Sequence, residues 1–246
     1  MKKSIYDNQE FFEQYKQMAR SQQGLQGAGE WHVLKKLLPD FRDKQVLDLG
    51  CGYGWHCRYA AENGAEKVIG VDLSEKMLQV AKENTPFTTI DYLHEDISLV
   101  DFQENQFDVV ISSLAFHYVE SFEPLVKKIK NYLKADGQFV FSVEHPVFTS
   151  IAEQDWVYDE DGNIKHFPIN NYFYEGERLT NFLDSPVKKY HRTLTTYLET
   201  LLSNDFHIQH VTEPIPSENM LEQPGMKDEL RRPMMLIISA VNKKSS

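Results

Sequence analysis

The stretch VLDLGCGYGWH, residues 46–56, decides the fold of this protein. Its first four residues form a short apolar run typical of a buried strand, and Gly50, Gly52 and Gly54 predict a tight turn before a helix. Glycines let the backbone approach a ligand closely, because no Cβ stands in the way. Since open α/β sheets bind ligands at the carboxyl ends of their strands, we expect a ligand at this turn.

The spacing of the glycines indicates which ligand the turn suits. A dinucleotide-binding turn would read Gly-x-Gly-x-x-Gly, whereas here the third glycine comes one residue early and Trp55 takes its place. Asp48, two residues before the first glycine, would repel a pyrophosphate but attract an ammonium or sulfonium group. The turn therefore favours a positively charged ligand, and an NAD-dependent oxidoreductase is the less favoured alternative.

Outward from this turn, short apolar runs alternate with helical patterns. Apolar runs at 67–71, 89–93, 107–112, 138–143, 206–211 and 234–241 join the first run to predict seven strands. Runs that are apolar on both faces are typical of a parallel sheet covered by helices. The predicted fold is α/β, a doubly wound, Rossmann-like, seven-stranded and mostly parallel sheet.

The chain is expected to form a single domain, residues 1–246, with two additions to this sheet. Residues 1–44 contain two amphipathic patterns and predict an N-terminal helical lid, with glycines between 24 and 29 forming a mobile, hinge-like loop. Residues 45–143 would form the cofactor-binding core, and 191–246 a C-terminal helix and strands. Residues 144–190, rich in aromatic residues and turn signals, predict a β-rich substrate cap inserted after the fifth strand.

Composition excludes several classes of partner. With 37 acidic and 26 basic residues, the 246-residue chain carries a formal net charge of −11, so nucleic acid and anionic membrane surfaces are poor partners. No apolar run approaches the roughly 20 residues of a membrane span, and no secretory signal follows Met1. We therefore expect a cytoplasmic protein. Cys51, His56 and Cys57 do not have the spacing of a metal site, so no metal is expected. The sequence leaves the oligomeric state open.

Four segments together resemble the class I S-adenosylmethionine-dependent methyltransferases. They are the Asp48 motif with its glycine turn, Asp72 at the end of the second strand, Asp96 after the third, and the segment 107–119. The resemblance extends from residue 45 to about 144. It implies S-adenosyl-L-methionine as the cofactor and methyl transfer as the activity.

The resemblance also implies roles for individual residues. Asp72 would accept the ribose hydroxyls, Leu73 and Met77 would contact the adenine face, and Asp96 would receive the adenine amino group, with Ile97 at the ring edge. Asp72 is equally suited to a simple helix cap with Ser74, and both roles are compatible.

The remaining contacts to the cofactor would come from three other places. The turn itself would contribute Asp48, Gly50, Cys51, Gly52 and Gly54, and Ser112 would lie beside the methionyl portion. Arg20 is expected to meet the cofactor carboxylate if the N-terminal segment folds across the cleft, the alternative being an exposed helix arginine.

Methyl transfer to a hydroxyl or carbon acid needs a base, which histidine commonly provides near neutral pH. His145 is the first candidate, with Glu144 orienting its ring at the rim of the cleft; His117 and, more weakly, His191 are the others. Each has a structural alternative, as a strand end or as packing. The segments Glu144-His145-Pro146 and 190–193 look similar to a small-molecule subset of the family, the methyltransferase type 11 or ubiquinone/menaquinone-biosynthesis type.

The aromatic residues of the predicted cap indicate an apolar or aromatic small-molecule acceptor. They are Trp156, Tyr158, Phe167, Tyr172, Phe173 and Tyr174. Their alternative role is to stabilise a small β element that lacks a core of its own. A second hypothesis for the whole protein is a catalytically silent, S-adenosylmethionine-binding regulator, although a capped cleft with histidines favours an enzyme.

Overall fold

The computed structural model describes residues 3–243. Its strands are β1 Gln45–Leu49, β2 Lys67–Asp72, β3 Ile90–His94, β4 Phe107–Ser113, β5 Leu133–Glu144, β6 Val157–Tyr158, β7 Ile164–His166, β8 Gly176–Phe182, β9 Ser185–His191, β10 Phe206–Thr212 and β11 Met235–Asn242. Its α-helices are α1 Gln9–Tyr15, α2 Ala19–Gln22, α3 Trp31–Leu37, α4 Trp55–Glu62, α5 Glu75–Glu83, α6 Phe122–Tyr132, α7 Pro146–Thr149, α8 Leu194–Leu202 and α9 Glu218–Leu221.

Seven strands form one sheet in the order β10-β11-β5-β4-β1-β2-β3. Neighbouring strands from β5 to β3 run parallel, and β11 lies antiparallel between β5 and β10. The predicted seven-stranded, mostly parallel, Rossmann-like sheet is confirmed. The strand order reverses direction between β1 and β4, so a crevice forms at the carboxyl ends of these two strands, where ligands of such sheets bind.

Helices cover both faces of the sheet because its central strands are apolar on both sides. Leu47 and Leu49 of β1 share a core with Leu125 and Ile129 of α6. On the other face, Val46 of the same strand packs in a cluster that includes Cys57 and Ala60 of α4. This alternation along β1 also decides where Asp48 points, since it follows Val46 by two residues.

The N-terminal segment, residues 3–30, lies across the carboxyl end of the sheet. Asp7, at the end of a 3₁₀ turn (Ile5–Asp7), accepts hydrogen bonds from Ser74 Oγ at 2.7 Å and from Lys76 N at 3.2 Å. The predicted mobile loop is instead a packed 3₁₀ turn, Gly24–Gly27: a Cβ on Gly27 would lie 2.2 Å from the Ala19 carbonyl oxygen. Gly27 is required because two backbone segments pass closely there, whereas Gly24 has a positive φ of 61° and lies against the Trp55 ring.

The insertion after β5 forms the two small antiparallel sheets β6–β7 and β8–β9, so the β-rich cap is confirmed. No helix within residues 3–243 has the length and apolarity that a membrane span requires.

Candidate functional site

A cavity of about 1300 Å³ opens at the carboxyl ends of β1, β2, β4 and β5. Its glycine-turn side is formed mainly by Gly50–Gly52, Asp72, Leu73, Met77, Asp96 and Ile97, and its cap side by His117, Tyr118, Glu144 and the β8–β9 residues Phe182, Pro186, Val187 and Tyr190. Residues of the N-terminal segment, among them Tyr6, Arg20 and Glu30, line it as well. Three separate parts of the chain thus enclose one space.

The glycines of the turn differ in what a side chain at each position would contact. Gly50 and Gly54 have positive φ values of 79° and 72°, and a Cβ would lie 2.3 Å from Ala115 Cβ or 2.1 Å from the Tyr92 hydroxyl, respectively. Around Gly52 nothing lies within 4 Å of such a Cβ. All three glycines shape the turn, since Gly52 also has a positive φ of 53°, and Gly52 in addition leaves room for a ligand.

Asp72 stands at the end of β2 and faces the cavity. Its Oδ2 accepts a hydrogen bond from Gly52 N and its Oδ1 one from Ser74 N, each at 2.8 Å, while Ser74 caps α5. Burial raises the pKa of Asp72 above its usual value, and the two backbone donors oppose this rise only in part. Since each carboxylate oxygen has a further lone pair, Asp72 can still accept hydrogen bonds from a ligand.

The other predicted residues of the adenosine site also line the cavity. Leu73 and Met77 follow Asp72, and Asp96 and Ile97 approach from the end of β3. The Oδ1 atom of Asp96 accepts hydrogen bonds from Ser98 N at 2.9 Å and from Ser98 Oγ at 2.6 Å. The predicted adenosine residues are therefore brought together on one side of the cavity.

Asp48 lies beneath the turn and does not line the cavity, contrary to the expected direct contact with a ligand. It is 1% exposed, and its Oδ2 accepts a hydrogen bond from Cys57 Sγ at 3.3 Å. The alternation of side chains along β1 points it toward α4. Burial raises the pKa of Asp48 to about 7.

Ser112 does not line the cavity, contrary to its prediction, and the alternation of side chains along a strand is again the reason. It is fully buried and donates to the Leu49 carbonyl at 2.7 Å, so the next residue, Ser113, lines the cavity instead. A shift of one residue along a strand exchanges the two faces of the sheet.

Arg20 lines the cavity as predicted, and the structure pairs it with an acidic residue that the sequence did not reveal. Its Nη2 lies 2.8 Å from Glu30 Oε1, which also accepts from Ser113 Oγ at 3.0 Å. Burial would raise the pKa of Glu30, but Arg20 and these hydrogen bonds hold it below its usual value. An acidic residue directly before a helix is ordinary in sequence, so only the fold identifies Glu30 as buried.

Four buried polar atoms of residues on the cavity wall have no hydrogen-bond partner within the described part of the chain. They are Ser21 Oγ, Glu30 Oε2, Tyr53 OH and Trp55 Nε1. Buried polar groups are normally paired, so these atoms indicate a polar ligand. The methionyl part of S-adenosylmethionine carries an ammonium suited to Glu30 and a carboxylate suited to Arg20. The residues present thus fit this cofactor.

On the cap side, Glu144 is held by two partners. Lys189 Nζ lies 2.6 Å from Oε1, and Gln154 Nε2 donates to Oε2 at 2.8 Å. Burial alone would raise the pKa of Glu144, but His117 and Lys189 lower it below its usual value. Glu144 is therefore an ionised carboxylate on the cavity wall, with its counter-ion supplied by β9. Sequence reasoning missed Lys189, because its neighbour Lys188 is equally basic.

His117 lines the cavity beside Glu144. The backbone N–H of Glu144 points at His117 Nδ1, 3.4 Å away, and His117 Nε2 lies 4.0 Å from Glu144 Oε1. Burial lowers the pKa of His117 to about 4, so the ring is neutral near pH 7. Because Nδ1 faces a donor, the proton of the neutral ring belongs on Nε2.

His145 lies outside the cavity, so its expected place at the rim beside Glu144 is wrong. Its Nδ1 accepts a hydrogen bond from Val147 N at 3.0 Å as the N-cap of α7, and its Nε2 lies 2.8 Å from Glu213 Oε1. Consecutive residues at the end of β5 point to opposite sides, and Pro146 begins a helix there.

His191 is buried as well. Its Nδ1 lies 2.7 Å from Thr149 Oγ1 and its Nε2 2.8 Å from the Tyr172 carbonyl. Both ring nitrogens are therefore engaged in holding the cap.

The cap contributes to the cavity through the β8–β9 hairpin, and none of the aromatic residues between 156 and 174 lines the cavity. The rings of Phe148, Trp156 and Phe167 surround the guanidinium of Arg232 at 4.7–4.9 Å, while Phe173 is 87% exposed. Trp156 and Phe167 thus hold β6–β7 against Arg232, whereas Tyr158, Phe173 and Tyr174 are exposed. Within residues 3–243, no three His, Cys, Asp or Glu side chains are grouped to hold a metal ion.

Comparison with known proteins gives consistent matches. Residues 47–141 match the family described as a methyltransferase domain. The solved structure of a putative S-adenosylmethionine-dependent methyltransferase from Listeria monocytogenes is 53% identical, with a TM-score of 0.87, over 90% of this chain and 100% of that chain. Its counterpart from Mesorhizobium loti is 42% identical, with a TM-score of 0.83, over 89% and 100%. The malonyl-[acyl-carrier protein] O-methyltransferase of Bacillus cereus is 24% identical over 68% of this chain and 63% of its own length.

Proposed function

The chain belongs to the class I S-adenosylmethionine-dependent methyltransferases, and on that premise we propose that it methylates a small molecule bound on the cap side of the cavity, next to Glu144. When bound, S-adenosylmethionine supplies a methyl group already activated by a positively charged sulfur. The protein's tasks are then to hold the acceptor in line with that methyl group and to take up a proton where the acceptor carries one.

The glycine-turn side is assigned to the cofactor. Asp72 would accept from the ribose hydroxyls, with Asp96 and Ile97 at the adenine edge. Arg20 would meet the carboxylate and Glu30 the ammonium of the methionyl part, since Glu30 Oε2 is otherwise unpaired. Asp48 acts from beneath, through the conformation of the turn.

The size and construction of the cavity support a small-molecule acceptor and carry the proposal, since one space is lined by the glycine turn, the N-terminal segment and the cap. The N-terminal segment is fixed on the glycine-turn side by Asp7 and Ser74, and on the cap side by the hydroxyls of Tyr6 and Tyr118, 3.1 Å apart. Small-molecule sites typically measure about 300–1000 Å³. A cavity of about 1300 Å³ therefore has room for the cofactor together with one small acceptor.

Glu144 is the better candidate for the proton acceptor than any of the histidines. His145 and His191 have their rings engaged outside the cavity, and His117 presents a nitrogen that carries a proton. Glu144 is ionised and faces the cavity. His117 would then donate a hydrogen bond to the acceptor rather than remove its proton.

The test combines calorimetry with a transfer assay. S-adenosylhomocysteine should bind to the purified protein, and label from methyl-labelled S-adenosylmethionine should appear in a metabolite fraction. Glu144→Gln should retain binding and lose transfer, whereas the matched control Glu123→Gln, on the exposed face of α6, should retain both. Binding without transfer to any fraction would instead support the silent regulator, and absence of binding would refute the assignment of the cavity.

A further inference from the structure

We infer that the acceptor is an alcohol or phenol with an apolar body, whose hydroxyl is held between His117 and Glu144; this rests on the proposed function. The distance of 4.0 Å from His117 Nε2 to Glu144 Oε1 is too long for a direct hydrogen bond. A single oxygen atom can nevertheless lie about 2.8 Å from both atoms. Such an oxygen lies beside the line that joins the two atoms, and because both residues line the cavity, this pair of side chains suits one hydroxyl group there.

The two side chains offer complementary hydrogen bonds. His117 directs its Nδ1 to the backbone N–H of Glu144, which leaves Nε2–H as a donor on the cavity side. Glu144, ionised, can only accept. A hydroxyl is both an acceptor and a donor, so it satisfies both partners. An ammonium cannot accept from His117, and a carboxylate cannot donate to Glu144.

The neighbouring charges also disfavour an anionic acceptor. The buried cation behind Glu144, Lys189, already binds Glu144 Oε1 and Gln154 Oε1, at 2.6 and 2.9 Å. Arg20 is paired with Glu30. Lys188, which also lines the cavity, is paired with Glu177 at 2.7 Å. With these cations compensated, a carboxylate placed against Glu144 would meet a like charge without an adequate partner.

The cap side of the cavity has charged wall residues, Glu120 and Lys188, and several apolar ones. Phe182, Val187 and Tyr190 approach from the β8–β9 hairpin, and Met235 approaches from β11. They suit a hydrocarbon or aromatic body attached to the hydroxyl.

The groups at this site account for every bond and proton of the reaction. The hydroxyl oxygen forms a bond to the methyl carbon as the sulfur–methyl bond breaks and its electron pair stays on sulfur. The hydroxyl proton passes to Glu144, and the products are a methyl ether and S-adenosylhomocysteine. Lys189 is a positioning residue in this arrangement, because it fixes the orientation and charge of Glu144 without reaching the cavity.

The test uses three probes that share a phenyl body and differ in head group: benzyl alcohol, benzylamine and benzoate. Their affinities for the protein saturated with S-adenosylhomocysteine are measured by NMR titration. Benzyl alcohol should bind at least about tenfold more tightly than the other two, as expected for a hydrogen bond to a charged group. Glu144→Gln should remove this preference, and Glu123→Gln should not.

Since Glu144→Gln leaves Lys189 buried without its counter-ion, the double variant Glu144→Gln/Lys189→Met is measured as well. It removes both charges, so neither is left buried without its partner, and it should show the same loss of preference for benzyl alcohol. Equal or tighter binding of benzylamine or benzoate, no binding of benzyl alcohol, or an unchanged preference in both variants would overturn the inference. Failure of S-adenosylhomocysteine to bind would instead count against the proposed function.

Discussion

The two sides of the cavity are built in different ways. The glycine-turn side draws its residues from one stretch, 50–97, and depends on backbone conformation: the positive φ of Gly50 and Gly54, and hydrogen bonds from Gly52 N and Ser74 N to Asp72. The cap side combines the turn after β4, the end of β5 and the β8–β9 hairpin, and depends on side-chain contacts such as that of Lys189 with Glu144. The difference suits a fixed cofactor on one side and a family-specific acceptor on the other.

If the two sides are separate in function, a change on the cap side should abolish turnover without weakening cofactor binding. We expect Glu144→Gln to slow methyl transfer by about 10²–10⁴-fold, as for loss of a proton acceptor, with affinity for S-adenosylhomocysteine unchanged. Labelled transfer and calorimetry measure the two quantities. A parallel loss of cofactor affinity would show that the two sides cannot be treated separately.

Asp48, beneath the glycine turn, should make the stability of the protein depend on pH. Asp48 has its pKa raised to about 7 from 3.8, so between these values the unfolded chain releases a proton that the folded protein keeps, and stability falls as pH rises. Asp48→Asn removes this penalty. Its advantage over the wild type should be small near pH 4 and grow to on the order of 4 kcal/mol at pH 8.

Urea unfolding of the cofactor-free proteins at both pH values tests this expectation. Contributions from buried histidines such as His117 are common to both proteins and cancel in the difference. Asp91→Asn, at an exposed aspartate of β3, is the control. An advantage that is the same at both pH values would show that Asp48 is ionised in the folded protein.

On the glycine-turn side, Asp72→Asn should weaken S-adenosylhomocysteine binding by about 10–100-fold, which corresponds to the loss of a hydrogen bond to a charged acceptor. The amide retains one acceptor oxygen, so binding should weaken rather than disappear. Calorimetry with Asp91→Asn as the matched control measures the effect. Unchanged affinity would remove Asp72 from the cofactor site and reduce it to a cap of α5.

The sequence sufficed for the sheet and for most of the glycine-turn side because both follow local rules. The strands are located by their apolar runs, and Asp72 and Asp96 by their position at strand ends. The assignments of Asp48 and Ser112 went wrong because the side of the strand on which a residue lies depends on the covering helices. Lys189 and Glu30 were not predicted as site residues because their burial arises only from contacts between segments distant in sequence.

The smallest effect on activity is expected from the residue that the sequence favoured as the base. His145 adjoins Glu144 but caps α7 and contacts Glu213 outside the cavity. His145→Ala should therefore lower stability by about 0.5–2 kcal/mol, as for loss of an N-cap, and leave the transfer rate within about threefold of the wild type at a temperature where both proteins are folded. Chemical unfolding and labelled transfer separate these two effects. Loss of transfer in a folded His145→Ala protein would return the proton-accepting role to His145 and require the cap to rearrange when ligands bind.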